Sequence, residues 1–246
     1  MSAHFETMIP GAKSGGTSLP VHAPFDRQEI ATVDLADADA VDRALTTARD
    51  LFDNRGAWLP AHKRLAILER AAAIMQSRRD ELALEAAREG GKPLVDSQVE
   101  ADRAIDGVRC CIETLRTQAG REVPMGITAS SADRLAFTRH EPIGPVLAFS
   151  AFNHPLNLIV HQVAPAVAAG CPVLVKPAEA TPLSCFRFVG ILRDAGLPEE
   201  WCQVFLTEDL GTPESAFSPS LAAVVWAGCC AANWHRACDA RWSTGA

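Results

Sequence analysis

The rhythm of apolar and polar positions changes at Gly144. Upstream, apolar residues recur at helical spacing with charges between them, and downstream they bunch into short runs. GPVLAFSAF, CPVLVKP and WCQVFLT are apolar runs without polar alternation, and the intervening NHPLNLIVHQVAPAVAAG and TPLSCFRFVGILRDAGLP have the length of helices. Strand, helix, strand, helix, strand with short connections predicts parallel βαβ units in an α/β fold, the sheet covered by helices. Ligands of such open sheets lie beyond the carboxyl ends of the strands, so polar groups gather in the loops that leave them. Here those loops are the Phe-Asn-His-Pro corner after the first run and the Lys-Pro-Ala-Glu corner after the second.

The first half reads as mainly helical. Residues 1–20 are rich in Gly, Ser and Pro and are expected to be flexible. VHAPFDRQEIATVDLAD then has the short runs and turn residues of a small hairpin or extended arm. Asp37 is placed to cap a helix through ADAVDRALTTARDLFD. From Pro60, Leu65, Leu68, Ala72 and Met75 fall on one face of a helix that runs until Gly90, Gly91 and Pro93 stop it, and a further helix is predicted from Val95 to about Ala119. Residues 121–140 carry Pro, Gly and small polar residues around short β-prone runs, which fits either an exposed two-stranded arm or a surface loop. The chain thus divides into 1–20, a helical part over 21–120, the arm over 121–140, a βαβαβ core over 141–225 and an aberrant tail over 226–246.

Composition excludes several functions. The 246 residues are 48% hydrophobic, enough for a sizeable core, and 23 Lys and Arg against 30 Asp and Glu leave a net charge of −7. Without a general positive field, nucleic acid is not an expected partner. No run has the length of a signal-peptide core or a membrane span, so no membrane partner and a cytoplasmic location are expected. The 8 cysteines do not form a disulfide framework: Cys110 and Cys111 are adjacent, Cys171, Cys185 and Cys202 lie in apolar patterns, and Cys229, Cys230 and Cys238 crowd the tail. Free thiols are expected, and the spacing of the tail cysteines with His235 matches no zinc pattern, so no metal site is assigned.

No Gly-x-Gly-x-x-Gly follows the first run of the core. Yet Glu-Gly-Gly-Lys-Pro, Phe-Asn-His-Pro-Leu-Asn and Lys-Pro-Ala-Glu-Ala-Thr-Pro occur in that order, followed by Ala195-Gly196-Leu197-Pro198. From about Phe25 to about Val225 the chain resembles the NAD(P)-dependent aldehyde dehydrogenase superfamily. The resemblance implies a Rossmann-type parallel sheet with N-terminal helices and a β-arm for oligomerisation, here incomplete. It also implies a small aldehyde as substrate and NAD as cofactor, with NADP as the alternative, and homo-oligomers through 121–140.

It implies roles for single residues too. The Asn153 amide would donate to the thiohemiacetal oxygen, on which charge grows; the residues alone favour a cap for the following helix. Lys176 and Glu179 would bind the adenosine ribose, the carboxylate disfavouring a 2′-phosphate, whereas without the resemblance they read as an exposed ion pair. Phe149 and Ser150 fall in the cofactor corner. Phe152 would meet the nicotinamide or the substrate path, or pack in the core. Lys92 reads as a decoration of a helix end, and His154 as a loop residue able to touch substrate. Thr207, with glycine delayed to Gly211, departs from the family's turn after the third strand.

The family's catalytic cysteine and glutamate motifs are not found in AAVVWAGCCAANWHRACDARWSTGA, and nothing flanking Cys229, Cys230 or Cys238 matches them. Trp226, Trp234 and Trp242 add to the change of character there. A frameshift after Val225 would produce it, as would a divergent terminus. The expected function is oxidation of an aldehyde to a carboxylic acid in the full-length form, this chain being a truncated, inactive fragment. The other reading is a non-catalytic nucleotide-binding or subunit-pairing protein.

Overall fold

The computed structural model describes residues 3–12, 16–207 and 223–226. Three strands lie at its N-terminal end: β1 (Ala3–Phe5), β2 (Ser18–His22) and β3 (Glu29–Asp34). Four helices follow, α1 (Ala38–Asp53), α2 (Ala61–Ser77), α3 (Arg79–Gly90) and α4 (Leu94–Thr117). Strands β4 (Glu122–Val123) and β5 (Ala136–Phe137) precede the core. The core itself runs β6 (Val146–Phe149), α5 (Pro155–Ala169), β7 (Val173–Lys176), α6 (Leu183–Asp194), β8 (Cys202–Val204) and β9 (Ala223–Trp226).

The core strands form a parallel sheet in the order β8-β7-β6-β9. Their lack of polar alternation follows from burial on both faces, since Val146, Leu147, Ala148, Val173, Leu174 and Val175 are all buried. The two-residue period still sorts them. Leu147, Leu174 and Phe205 pack with Ala40, Val41, Ala44 and Ala48 of α1, while Val146, Ala148, Val173 and Val175 join the core shared with α2 to α6. Each fully buried Leu or Val contributes about 1.5–3 kcal/mol. Gln203, buried on the α1 side, donates to the main-chain oxygen of Ala44 at 3.1 Å.

Several expectations hold. Asp37 accepts from the Ala40 N–H at 2.8 Å and caps α1. β2 and β3 pair antiparallel as a hairpin. Gly91 ends α3 in the left-handed region at φ 68°, with Pro24 so close that an added Cβ would lie 3.0 Å from its ring. Of the two readings for 121–140, the structure takes the arm: β4 and β5 pair antiparallel, with Val123, Ile127, Leu135 and Phe137 exposed.

Two expectations need correction. The flexible stretch over 1–20 does not hold for its described residues. β1 lies parallel to β3, and the Met8 N–H donates to the Val204 oxygen at 2.9 Å, while Ala36 N–H donates to Leu206 at 2.7 Å. Met8 thus meets the end of the edge strand β8 and Ala36 the residues just after it, and Phe5 meets the Phe186 ring edge-on. Pairing partners near and beyond residue 200 cannot be read from local composition. The second correction concerns the helix after Pro60, which breaks at Arg78 (φ −107°, ψ 17°) without a Gly or Pro. Ser77 turns its hydroxyl back to Ile74, Arg78 pairs with Glu81, and α3 starts afresh with Asp80 and Glu81 in its first turn. The expected aberrant tail over 226–246 lies outside the described residues apart from Trp226, which ends β9 beside Phe149.

Candidate functional site

β6 precedes β7 and β8 on one side and is joined by β9 on the other, so the strand order reverses at β6. A crevice at such a switch point, beyond the carboxyl ends, is where open α/β sheets take ligands. The loop that leaves β6 there carries Asn153, and Phe149 and Lys176 are register partners at the same ends of β6 and β7. Both corners therefore share one edge of the sheet.

The main chain of residues 149–153 is held at successive points by groups from elsewhere. The Gln162 amide of α5 donates to the Phe149 oxygen at 2.8 Å, and the Ser150 N–H donates to Lys176 O at 3.1 Å. The Thr181 hydroxyl donates to the Phe152 oxygen at 3.4 Å, and the Lys92 ammonium to the Asn153 oxygen at 3.1 Å. The side chains of Phe152 and Asn153 face solvent from this fixed backbone. Phe152 is 66% exposed, which removes the core-packing alternative.

Asn153 does not cap α5. The N-cap residue is His154, whose side chain makes no capping bond. Glu100 does that work from α4: its Oε1 accepts from the N–H groups of Leu156 at 2.8 Å and Asn157 at 3.0 Å. Its Oε2 accepts from Lys92, whose ammonium also reaches His154 Nδ1 at 3.1 Å. Lys92 is thus no decoration of a helix end; its side chain is 16% exposed and ties Glu100 to the Asn153 corner. The left-handed turn at Gly91 delivers it there.

A second buried carboxylate serves α6 in the same way. Glu89, at the end of α3, accepts from the N–H groups of Leu183 and Ser184 and from the Ser184 hydroxyl. Burial pushes its carboxyl up to about 7, against the opposing pull of Ser184, Arg187 and the two N–H groups. Glu89 opens the Glu-Gly-Gly-Lys-Pro motif but was given no role from the sequence, and Glu100 was not singled out there. The available signal was a Glu on an apolar stripe: Glu100 is four residues before Ala104, and Glu89 three after Ala86, both alanines buried. Gln162 and Thr181 carried no such signal.

Lys176 and Glu179 pair at 3.2 Å, with side chains 20% and 58% exposed. An ammonium and a carboxylate side by side can serve the two opposite hydrogen-bonding needs of a ribose diol, so the donor set at this edge fits a dinucleotide. Thr207 is buried, and Gly211 lies outside the described residues.

The described cysteines offer no nucleophile in this corner. Burial pushes the Cys202 and Cys111 thiols up to about 12 and raises Cys185 as well. Cys171 is also buried, while Cys110 is exposed on α4. No group of three or more metal-ligating side chains occurs among the described residues. Cys229, Cys230, His235 and Cys238 lie outside them. Among the described residues no helix is long and apolar enough to cross a membrane.

The model of the aldehyde dehydrogenase family matches residues 11–218. The aldehyde-dehydrogenase-like protein y4uC of Sinorhizobium fredii is 39% identical over 200 residues, covering 78% of this chain and 38% of the relative. The crystal structure of aldehyde dehydrogenase 21 from Physcomitrella patens, in complex with the reaction product succinate, superposes with a TM-score of 0.82 at 28% identity, covering 92% of this chain and 47% of that one. Glyceraldehyde-3-phosphate dehydrogenase GapN from Methanocaldococcus jannaschii, complexed with NADP, gives 0.70 at 28% identity, with 78% and 42% covered. The chain spans less than half the length of each of these proteins. With its motif residues gathered on one sheet edge and the family model matching most of its length, the chain belongs to the aldehyde dehydrogenase family.

Proposed function

We propose that this chain supplies the dinucleotide site and the oxyanion donor for oxidation of an aldehyde to a carboxylic acid. The observation that carries the proposal is the division of labour at the first corner: Glu100 caps α5 and Lys92 fixes the Asn153 main chain, leaving the Asn153 amide exposed at the sheet's carboxyl edge. A fixed amide donor stabilises the oxygen of a thiohemiacetal without waiting for solvent to reorganise. Its backbone anchors supply the required rigidity.

A bound dinucleotide supplies the hydride acceptor. Lys176 and Glu179 hold its ribose, and Phe149, Ser150 and Phe152 shape the corner beside it. The carboxylate of Glu179 favours NAD, since a 2′-phosphate beside it would bring like charges together; the NADP bound to GapN makes NADP the competing choice. The nucleophile is not one of Cys111, Cys185 or Cys202, whose burial raises their thiols, nor the buried Cys171. The chain alone is therefore read as binding the dinucleotide without turning over aldehydes, and the exposed arm as a pairing surface for a second copy. The non-catalytic reading shares the cofactor site and differs only in the use of Asn153.

Calorimetric titration of the chain with NAD and with NADP tests the proposal. Binding of NAD that is tighter than NADP and weakened by Lys176→Ala supports it. Absence of binding to either dinucleotide overturns it.

A further inference from the structure

The Lys92 ammonium has three hydrogens and no acceptor, and three acceptors surround it: Glu100 Oε2, the Asn153 oxygen and His154 Nδ1. Its donors are fully engaged, so Lys92 itself has nothing left to offer a ligand. The consequence falls on the imidazole. In the neutral ring one nitrogen carries the hydrogen, and the partner of the other decides which. A hydrogen on Nδ1 would set two donors against each other 3.1 Å apart, while the nearest Glu100 oxygen, at 3.6 Å, is too distant to accept it. The hydrogen therefore sits on Nε2, at the outer edge of a side chain that is 46% exposed and, among the described residues, makes no other hydrogen bond. This edge adjoins Asn153 in the chain, on a backbone anchored by Lys92.

We propose that His154 is a specificity-determining residue whose Nε2–H donates to a second oxygen of the substrate, beside the oxygen held by Asn153. The class selected is a short aldehyde bearing an additional oxygen acceptor near its carbonyl, such as a 2-hydroxy aldehyde. The inference rests on the reading of Asn153 given above. Lys92 and Glu100 are positioning residues in it: Glu100 orients the ammonium, and the ammonium sets the tautomer.

The test uses the whole chain, labelled with ¹⁵N and saturated with NAD. Long-range proton–nitrogen NMR reads the tautomer of His154, assigned by its loss in His154→Phe. Titration with lactaldehyde and with propanal, followed at the Asn153 side-chain amide, reads the preference. We expect hydrogen on Nε2, and lactaldehyde bound roughly two- to tenfold more tightly, the range of one net hydrogen bond. His154→Phe should bring that ratio to about one, and His154→Gln, which keeps a donor, should retain part of it. Hydrogen on Nδ1, or an unchanged ratio in His154→Phe, overturns the inference. If both aldehydes shift the Asn153 amide with equal affinity in the unsubstituted chain, the inference alone fails. If neither shifts it, the reading of Asn153 fails and takes the inference with it.

Discussion

The ammonium of Lys92 donates to the main-chain oxygen of Asn153 at 3.1 Å, across 61 residues of sequence, and the same ammonium neutralises a carboxylate with no exposed side-chain surface, that of Glu100. Replacing Lys92 by Met would leave that charge buried and unpaired while it still caps α5. Removing one partner of a buried pair costs about 3–5 kcal/mol. Lys92→Met should therefore lower the urea midpoint strongly, and Lys92→Met with Glu100→Gln should recover part of the loss. A double variant no more stable than Lys92→Met would show that the Glu100 charge is not what the lysine balances.

Glu89 makes stability depend on pH. Its folded value, about 7, lies above the ordinary 4.5. The folded state therefore holds the proton more tightly, so this contribution is fully present below about 4.5 and is lost as pH rises through 7. The span is on the order of 3 kcal/mol. Thermal denaturation across this window should show the decline, and Glu89→Gln should flatten it. An equal slope in the variant would mean that Glu89 stays charged throughout.

At the second corner, Lys176→Ala removes the ammonium beside Glu179. Loss of a charged hydrogen bond to the ribose is worth about 1.5–3 kcal/mol, hence at least tenfold in affinity for NAD. Calorimetry measures it directly. Unchanged affinity would reduce Lys176 and Glu179 to an ion pair at a loop.

Burial predicts how the thiols react. Brief alkylation of the native chain, mapped by mass spectrometry, should label Cys110 and leave Cys171, Cys185 and Cys202 intact. Mixed with NAD and a panel of aldehydes, the chain should form no NADH by absorbance. Turnover abolished by replacing Cys229, Cys230 or Cys238 would instead place the nucleophile in the last segment.

The arm presents Phe137 at 69% exposure and Ile127 at 82%. An apolar edge of this kind is stabilised by pairing with another copy. Phe137→Asp should shift light-scattering masses toward the single chain while leaving the thermal midpoint nearly unchanged. A mass identical to that of the unsubstituted chain, at every concentration, would separate the arm from assembly.

Local pattern determined much of this protein. The βαβαβ order, the Asp37 cap and the stop at Gly91 follow from periodicity and from residues that act on their immediate neighbours. Asn153 and Lys176 could be placed on one sheet edge for the same reason, because each lies at the carboxyl end of an apolar run. Only the tertiary structure decided what surrounds them. Glu100 meets Leu156 across 56 residues and Glu89 meets Leu183 across 94, so no local rule marks either as a helix cap. Lys92 looked like a charge at a helix end until folding placed it between Glu100, the Asn153 oxygen and His154. The N-terminal residues likewise gained their order only by pairing with β3 and β8. A buried charge or a strand edge needs a partner, and that need appears in the sequence as composition alone; which residue meets it is set by packing.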